Sequence, residues 1–310
     1  MEMVPRRLLG PSARVQTTLG DDVARALVEC SWAENPPVHG PRAVLQGSEV
    51  VVEGGPLAGR ATIRHGLRRW LLLAPSPCEA ESRNLTWMRK RLFHVPEPLG
   101  AVTLSRLGFP TRELLVTRPV EGARPFVETI AAASPGRRRE LFTEFGREVG
   151  RMHSLRFLHG DLVPDHVLVT PPCEDPGPGH GRSLVWLATR RGGPTAWRRG
   201  HLRRVADDLG AWFGRAADWM APSDVDALLL AYVASRACHG RPVTGLGRLV
   251  ASIQRSRRRE MARLEARPDF VRGRAIPIAG WDPDVGRLRS LMEREASTSP
   301  RAVVPPPPVV

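Results

Sequence analysis

Phe157-Leu158-His159-Gly160-Asp161-Leu162-Val163-Pro164-Asp165-His166-Val167-Leu168-Val169 is the stretch on which the reading of this chain turns. Upstream of it, Leu141, Phe142, Phe145, Val149 and Met152 recur at helical spacing, which predicts a helix with one buried stripe. Downstream, His166 to Val169 is rich in β-branched residues and reads as a strand. A short polar loop lies between. It holds one carboxylate, Asp161, beside a His-Gly pair, and a second polar side chain, His166, five residues on.

A carboxylate at the start of such a loop can accept a hydroxyl proton, and a residue five positions later can face a nucleotide's metal. On these residues the chain resembles the protein-kinase-like superfamily, whose catalytic loop runs His-x-Asp-x4-Asn. The nearest resemblance is to the Kdo/WaaP-type lipopolysaccharide kinases, in which His often stands in place of that Asn. The resemblance implies a two-lobed α+β fold, with a small antiparallel-sheet N-lobe and a mainly helical C-lobe. It covers about residues 45–240, with its strongest motifs at 79–100 and 145–170. It divides the chain into an N-terminal extension (1–40), an N-lobe (41–120), a C-lobe (121–265) and a C-terminal extension (266–310). That last segment ends in a Pro-rich tail, Pro305 to Pro308, expected to be disordered.

The remaining motifs follow the same order. Three stretches read as strands, Glu49–Glu53, Arg60–Arg64 and Arg68–Leu73. Gly54, Gly55 and Gly59 between the first two resemble a glycine-rich loop over nucleotide phosphates, although any hairpin favours glycine. Glu79 to Leu92 reads as a helix with Leu85, Met88 and Leu92 on one face. By resemblance it is the αC helix, with Glu81 as the glutamate that pairs with a strand-three lysine. Glu113 to Val120 resembles the last N-lobe strand entering the hinge. Asp208 resembles the family's buried aspartate that holds the catalytic loop. Ser223 is expected to cap a further helix, and Leu246 to Leu264 to form a basic one.

Two charges of the family pattern are missing. The strand that should carry the lysine reads Arg68-Arg69-Trp70-Leu71-Leu72-Leu73, and the chain's one lysine, Lys90, stands on the αC segment. Arginine does not substitute freely for a compact ammonium on a phosphate. Trp186 stands where the metal-binding aspartate belongs. That leaves His166 as the metal contact, a poor partner for a hard cation that prefers oxygen, unless Asp165, Glu174 or Asp175 compensates.

The 310 residues allow one two-lobed unit or two ordinary domains, and 42% apolar residues allow a sizeable core. Cys30, Cys78, Cys173 and Cys238 form no CxxC pair and read as reduced thiols of a cytoplasmic chain. The formal charge of +14 comes from arginine almost alone, and only 5% of residues are aromatic. No basic run is interleaved with stacking rings, so no specific nucleic acid is expected. A glycolipid or an anionic membrane surface accounts better for the charge, which implies peripheral association with the inner face of the membrane at most.

The resemblance thus implies weak ATP-dependent phosphorylation of a sugar hydroxyl in a lipopolysaccharide-type core. Asp161 and His159 would be catalytic. Glu81, Gly54, Gly55, Gly59 and His166 would serve the nucleotide, with His166 on Mg²⁺. The alternative is an inactive pseudokinase that binds a glycolipid or a protein.

Overall fold

The computed structural model describes residues 4–6, 12–16, 42–46, 49–53, 59–65, 76–106, 109–118, 120–171, 184–187, 192–195, 201–216, 220–266 and 285–298. In chain order the elements are β1 (Val4–Arg6), β2 (Ser12–Gln16), β3 (Arg42–Gln46), β4 (Glu49–Glu53), β5 (Gly59–His65) and α1 (Pro77–Arg89). Then come β6 (Glu97–Arg106), β7 (Phe109–Arg118), β8 (Arg124–Pro125), α2 (Phe126–Ala132), α3 (Pro135–Ser154) and β9 (Phe157–Leu158). A 3₁₀ turn (Pro164–His166), β10 (Val167–Val169), β11 (Leu184–Trp186) and β12 (Gly193–Pro194) follow. Four helices close the chain: α4 (His201–Ala216), α5 (Pro222–Cys238), α6 (Leu246–Glu265) and α7 (Val285–Thr298).

The fold is α+β, and the chain divides into two compact units. Residues 1–129 with 158–195 form the first, and residues 130–157 with 196–310 the second. The first is built on a seven-stranded antiparallel sheet, ordered β1-β2-β6-β7-β5-β4-β3. The strands read at Glu49–Glu53 and Arg60–Arg64 are β4 and β5. The stretch Arg68–Leu73 lies outside the described residues. Residues 1–40 contribute β1 and β2, and β2 joins the sheet along β6.

Helix α1 begins where local chemistry says it should. Ser76 is its N-cap, with Pro77 in the first turn and a reciprocal capping box. The Ser76 hydroxyl accepts from Glu79 N–H at 3.1 Å, and the Glu79 carboxylate accepts from Ser76 N–H at 2.9 Å. Leu85 and Met88 are buried as the periodicity predicts, but Leu92 is 67% exposed. The helix ends at Arg89, and Leu92 lies beyond it with φ +59, so helical spacing no longer governs where it points.

In the second unit, α3 and α5 pack closely. A Cβ on Gly146 would lie 2.1 Å from Leu228 O, and one on Gly150 would lie 2.7 Å from Tyr232 O. These two glycines, one helical turn apart, let the backbones approach. Phe145 stacks on Trp212 of α4 with centroids 3.9 Å apart, and Val225, Leu228, Leu229 and Tyr232 of α5 are buried as read. Ser223 is not the cap of α5. The helix starts at Pro222, where Ala221 N–H donates to Asp224 Oδ2 at 2.9 Å, so the cap lies two residues before the expected Ser223.

A buried polar chain ties these three helices together. His153 of α3 donates from Nε2 to Asp208 Oδ2 of α4 at 3.2 Å, and its Nδ1 lies 3.2 Å from the Tyr232 hydroxyl of α5. Burial, opposed by Arg236 and reinforced by Asp208, pushes the Tyr232 phenol up to about 12. A folded-state value above the unfolded one means that the contribution is complete below about pH 10. It is lost as pH rises through about 12, because the native state holds the proton that the unfolded chain releases. Denaturant melts between pH 9 and 12 should therefore lose roughly 2–3 kcal/mol attributable to this group. In Tyr232→Phe that slope should disappear even though the baseline is lower. An unchanged slope would place the titration elsewhere.

Candidate active-site loop

The loop from His159 to His166 is fixed by hydrogen bonds to backbone carbonyls, and a carbonyl can only accept. His159 Nε2 therefore donates to Leu187 O at 2.9 Å, and His166 Nδ1 donates to Asp161 O at 2.8 Å. Leu187 closes the circuit, since its own N–H donates to His166 O at 2.9 Å. One peptide neighbour after β11 thus grips both ends of the loop. The two imidazoles stack at 5.9 Å with 28° between their planes, and Trp186 lies 6.4 Å from His159.

Gly160 has φ +78, in the left-handed region that a side chain strains to adopt. It turns the chain between His159, which is 1% exposed, and Asp161, which is half-buried. Asp161 therefore combines a fixed backbone with a carboxylate that solvent or substrate can reach. Gly192 shields the other side of the turn, for a Cβ there would lie 2.3 Å from His159 O.

Strand β11 explains the position of Trp186. It pairs antiparallel with β10, Val167 opposite Trp186, and Trp186 N–H donates to His94 O at 2.9 Å. The indole is fully buried. It reads as core, as does Trp212, while Trp197 lies outside the described residues. The strand covers Leu184–Trp186. His166 belongs to the 3₁₀ turn and not to the following strand, because its ring is turned back onto Asp161 O.

Of the other residues singled out, Glu81 is half-buried on α1, and Gly59 opens β5 opposite Val52. Gly54, Gly55 and Leu72, with Glu174 and Asp175, lie outside the described residues. Sequence reasoning passed over Glu79. Its carboxylate is 1% exposed, caps α1 and lies 3.4 Å from the Thr103 hydroxyl of β6. The signal was present as Ser76-Pro77-Cys78-Glu79, a capping box with proline in its first turn. Glu113 of β7 accepts from Cys78 N–H at 3.1 Å, a second carboxylate against the positive end of the helix dipole.

Among the described residues the donor set around the loop does not suit Mg²⁺. His166 offers nitrogen, Trp186 offers nothing, and Asp165 is exposed on the 3₁₀ turn. Among the described residues no group of three or more His, Cys, Asp or Glu could hold a metal ion. No described helix is long and apolar enough to cross a membrane.

Residues 61–182 match the model of the lipopolysaccharide kinase (Kdo/WaaP) family. The resemblance read from the residues at 157–169 and in the helix at 77–89 is borne out over that stretch. Solved structures similar to this chain include the following two. One is WaaP in complex with acyl carrier protein, 14% identical, covering 77% of this chain and 92% of that one, with a TM-score of 0.49. The other is the Rio2 kinase–ADP/Mg²⁺–phosphoaspartate complex from Chaetomium thermophilum. It is 14% identical, covering 84% of this chain and 82% of that one, with a TM-score of 0.38. No curated protein sequence matches.

Because His166 holds the carbonyl of Asp161, His166→Ala should loosen the loop without disturbing the helices. Hydrogen exchange at amides 160–167 should accelerate about tenfold, the loss of roughly 1.4 kcal/mol expected for a buried hydrogen bond. Unchanged exchange there would show that Leu187 alone holds the loop.

Proposed function

We propose that the protein is a lipopolysaccharide-kinase-like phosphotransferase that acts weakly on a sugar hydroxyl of a lipopolysaccharide-type core. The observation that carries this reading is the locked His159–His166 loop, which leaves the Asp161 carboxylate reachable while its backbone is held. The family match supports kinase chemistry with a nucleotide in general terms. In this reading residues 41–120 are the N-lobe and 121–265 the C-lobe. Asp161 orients the acceptor hydroxyl and accepts its proton. His159 acts through the backbone, positioning the loop. Glu81 organises α1, and Gly54, Gly55 and Gly59 approach the phosphates. The acceptor is a glycolipid, and an anionic membrane surface presents it.

A second reading has a specific observation in its favour. Trp186 is fully buried and paired in the strand where the family's metal-binding aspartate belongs, so the site does not fit Mg²⁺ as a hard-cation centre. A pseudokinase that binds a glycolipid or a protein through the same loop would keep every feature described here. Reintroducing the aspartate is not a simple repair. Trp186→Asp would bury a carboxylate in a dry strand at a cost of several kcal/mol, on the order of the penalty for an unpaired buried charge.

Incubation with labelled ATP and a lipopolysaccharide-core acceptor distinguishes the two. A positioned base contributes about 10²–10⁴-fold, so Asp161→Asn should remove any turnover by at least a hundredfold and leave melting temperature and acceptor binding unchanged. Turnover that survives Asp161→Asn would rule Asp161 out as the base. No turnover in the wild type, with acceptor binding intact, would select the pseudokinase.

A further inference from the structure

The second unit carries an open groove of about 710 Å³ between α4 and α6, far in sequence from the loop above. Arg203, Arg255, Arg258 and Arg259 surround a floor of Ala206 and Ser252. One of these cations is neutralised internally, since Arg259 donates to Asp207 Oδ1 at 2.7 Å. The other three form no ion pair among the described residues, and Arg255 only donates to the neutral Ser252 hydroxyl at 3.2 Å. All three are exposed. Three guanidiniums converge on one groove although Glu260, on the same helix, is already occupied by Arg215 and Arg263. The arrangement therefore leaves positive charge open to an external anion.

The shape of the array says what kind of anion. Residues 248, 255 and 258 of an α-helix fall within about 80° of one another and span about 15 Å, so exposed Arg248 extends the groove into a stripe. On the opposite side of the helix Leu249, Val250 and Ile253 are buried and hold it in place. No aromatic ring lines the groove, so a nucleobase has nothing to stack on. Among the described residues the exposed large hydrophobic side chains are Leu92 and Leu155, on neither helix, so the contact is electrostatic and not an insertion. An extended, shallow, guanidinium-lined groove suits an array of phosphates.

We propose that the α4/α6 groove docks the protein on an anionic lipid surface, with Arg203, Arg255 and Arg258 on headgroup phosphates. The inference rests on the membrane part of the reading above, and it is tested without turnover, so its failure leaves the phosphotransfer reading untouched. The full-length protein is sedimented with vesicles of phosphatidylglycerol and phosphatidylcholine, or of phosphatidylcholine alone. Each basic side chain near an anionic surface is worth about fivefold in partitioning. The triple variant Arg203→Gln, Arg255→Gln, Arg258→Gln should therefore bind the anionic vesicles about a hundredfold more weakly. Lys90→Gln, Arg139→Gln, Arg147→Gln removes the same charge from elsewhere and should lose far less.

Circular dichroism melts confirm that both variants fold. Equal losses in the two variants would overturn the proposal in favour of diffuse charge. Equal wild-type binding to neutral vesicles would overturn the electrostatic contact. Release by inorganic phosphate, or by an oligonucleotide at the same phosphate concentration, would reassign the groove to a free phosphate or to nucleic acid.

Discussion

Leu187 is the residue on which the candidate site depends. Its carbonyl accepts from His159 and its N–H donates to His166 O, so one position after β11 fixes both histidines that frame Asp161. Each bond contributes only about 1 kcal/mol net. Together they convert a polar loop into a defined turn, with Gly160 supplying the left-handed residue the turn requires. The same strand that delivers Leu187 also delivers Trp186, which is locked opposite Val167 and tied to His94 O. The loop is therefore held by a strand whose inward residue is an indole where the family pattern places a carboxylate.

That coupling explains why the loop and the metal site can part company. The bonds that position Asp161 are backbone carbonyl contacts and need no acidic side chain on β11. A buried indole fills the space with dispersion contacts instead of charge. The loop geometry therefore carries no requirement for an acidic side chain behind it, and a chain can keep the first while losing the second.

Much of the fold was legible because its signals are periodic. The buried stripe of α3, the valine run of β4, the alternation of β5 and the helix at 77–89 follow from local pattern alone. What was missed depended on tertiary context. The strands β1 and β2 are short and acquire their place by pairing, β2 with β6 across the sheet. Leu92 fits a helical template but sits past the helix end at positive φ. Glu79 was passed over for Glu81 because the family pattern drew attention two residues on, although the capping box at Ser76 was written in plain order. The arginines divide in a way that composition cannot reveal. Arg138 pairs with Asp224 at 2.7 Å and Arg151 with Glu148 at 2.9 Å as parts of the helical packing, whereas Arg203, Arg255 and Arg258 remain directed to solvent.

Nucleotide binding measured by thermal shift, with ATP alone and with ATP plus Mg²⁺ or Mn²⁺, tests the central claim most directly. A site that keeps its loop and lacks a carboxylate on β11 predicts a small shift with ATP that neither cation increases. A large shift that appears only with a divalent cation would contradict the account, because a metal site would then exist that the buried Trp186 does not leave room for.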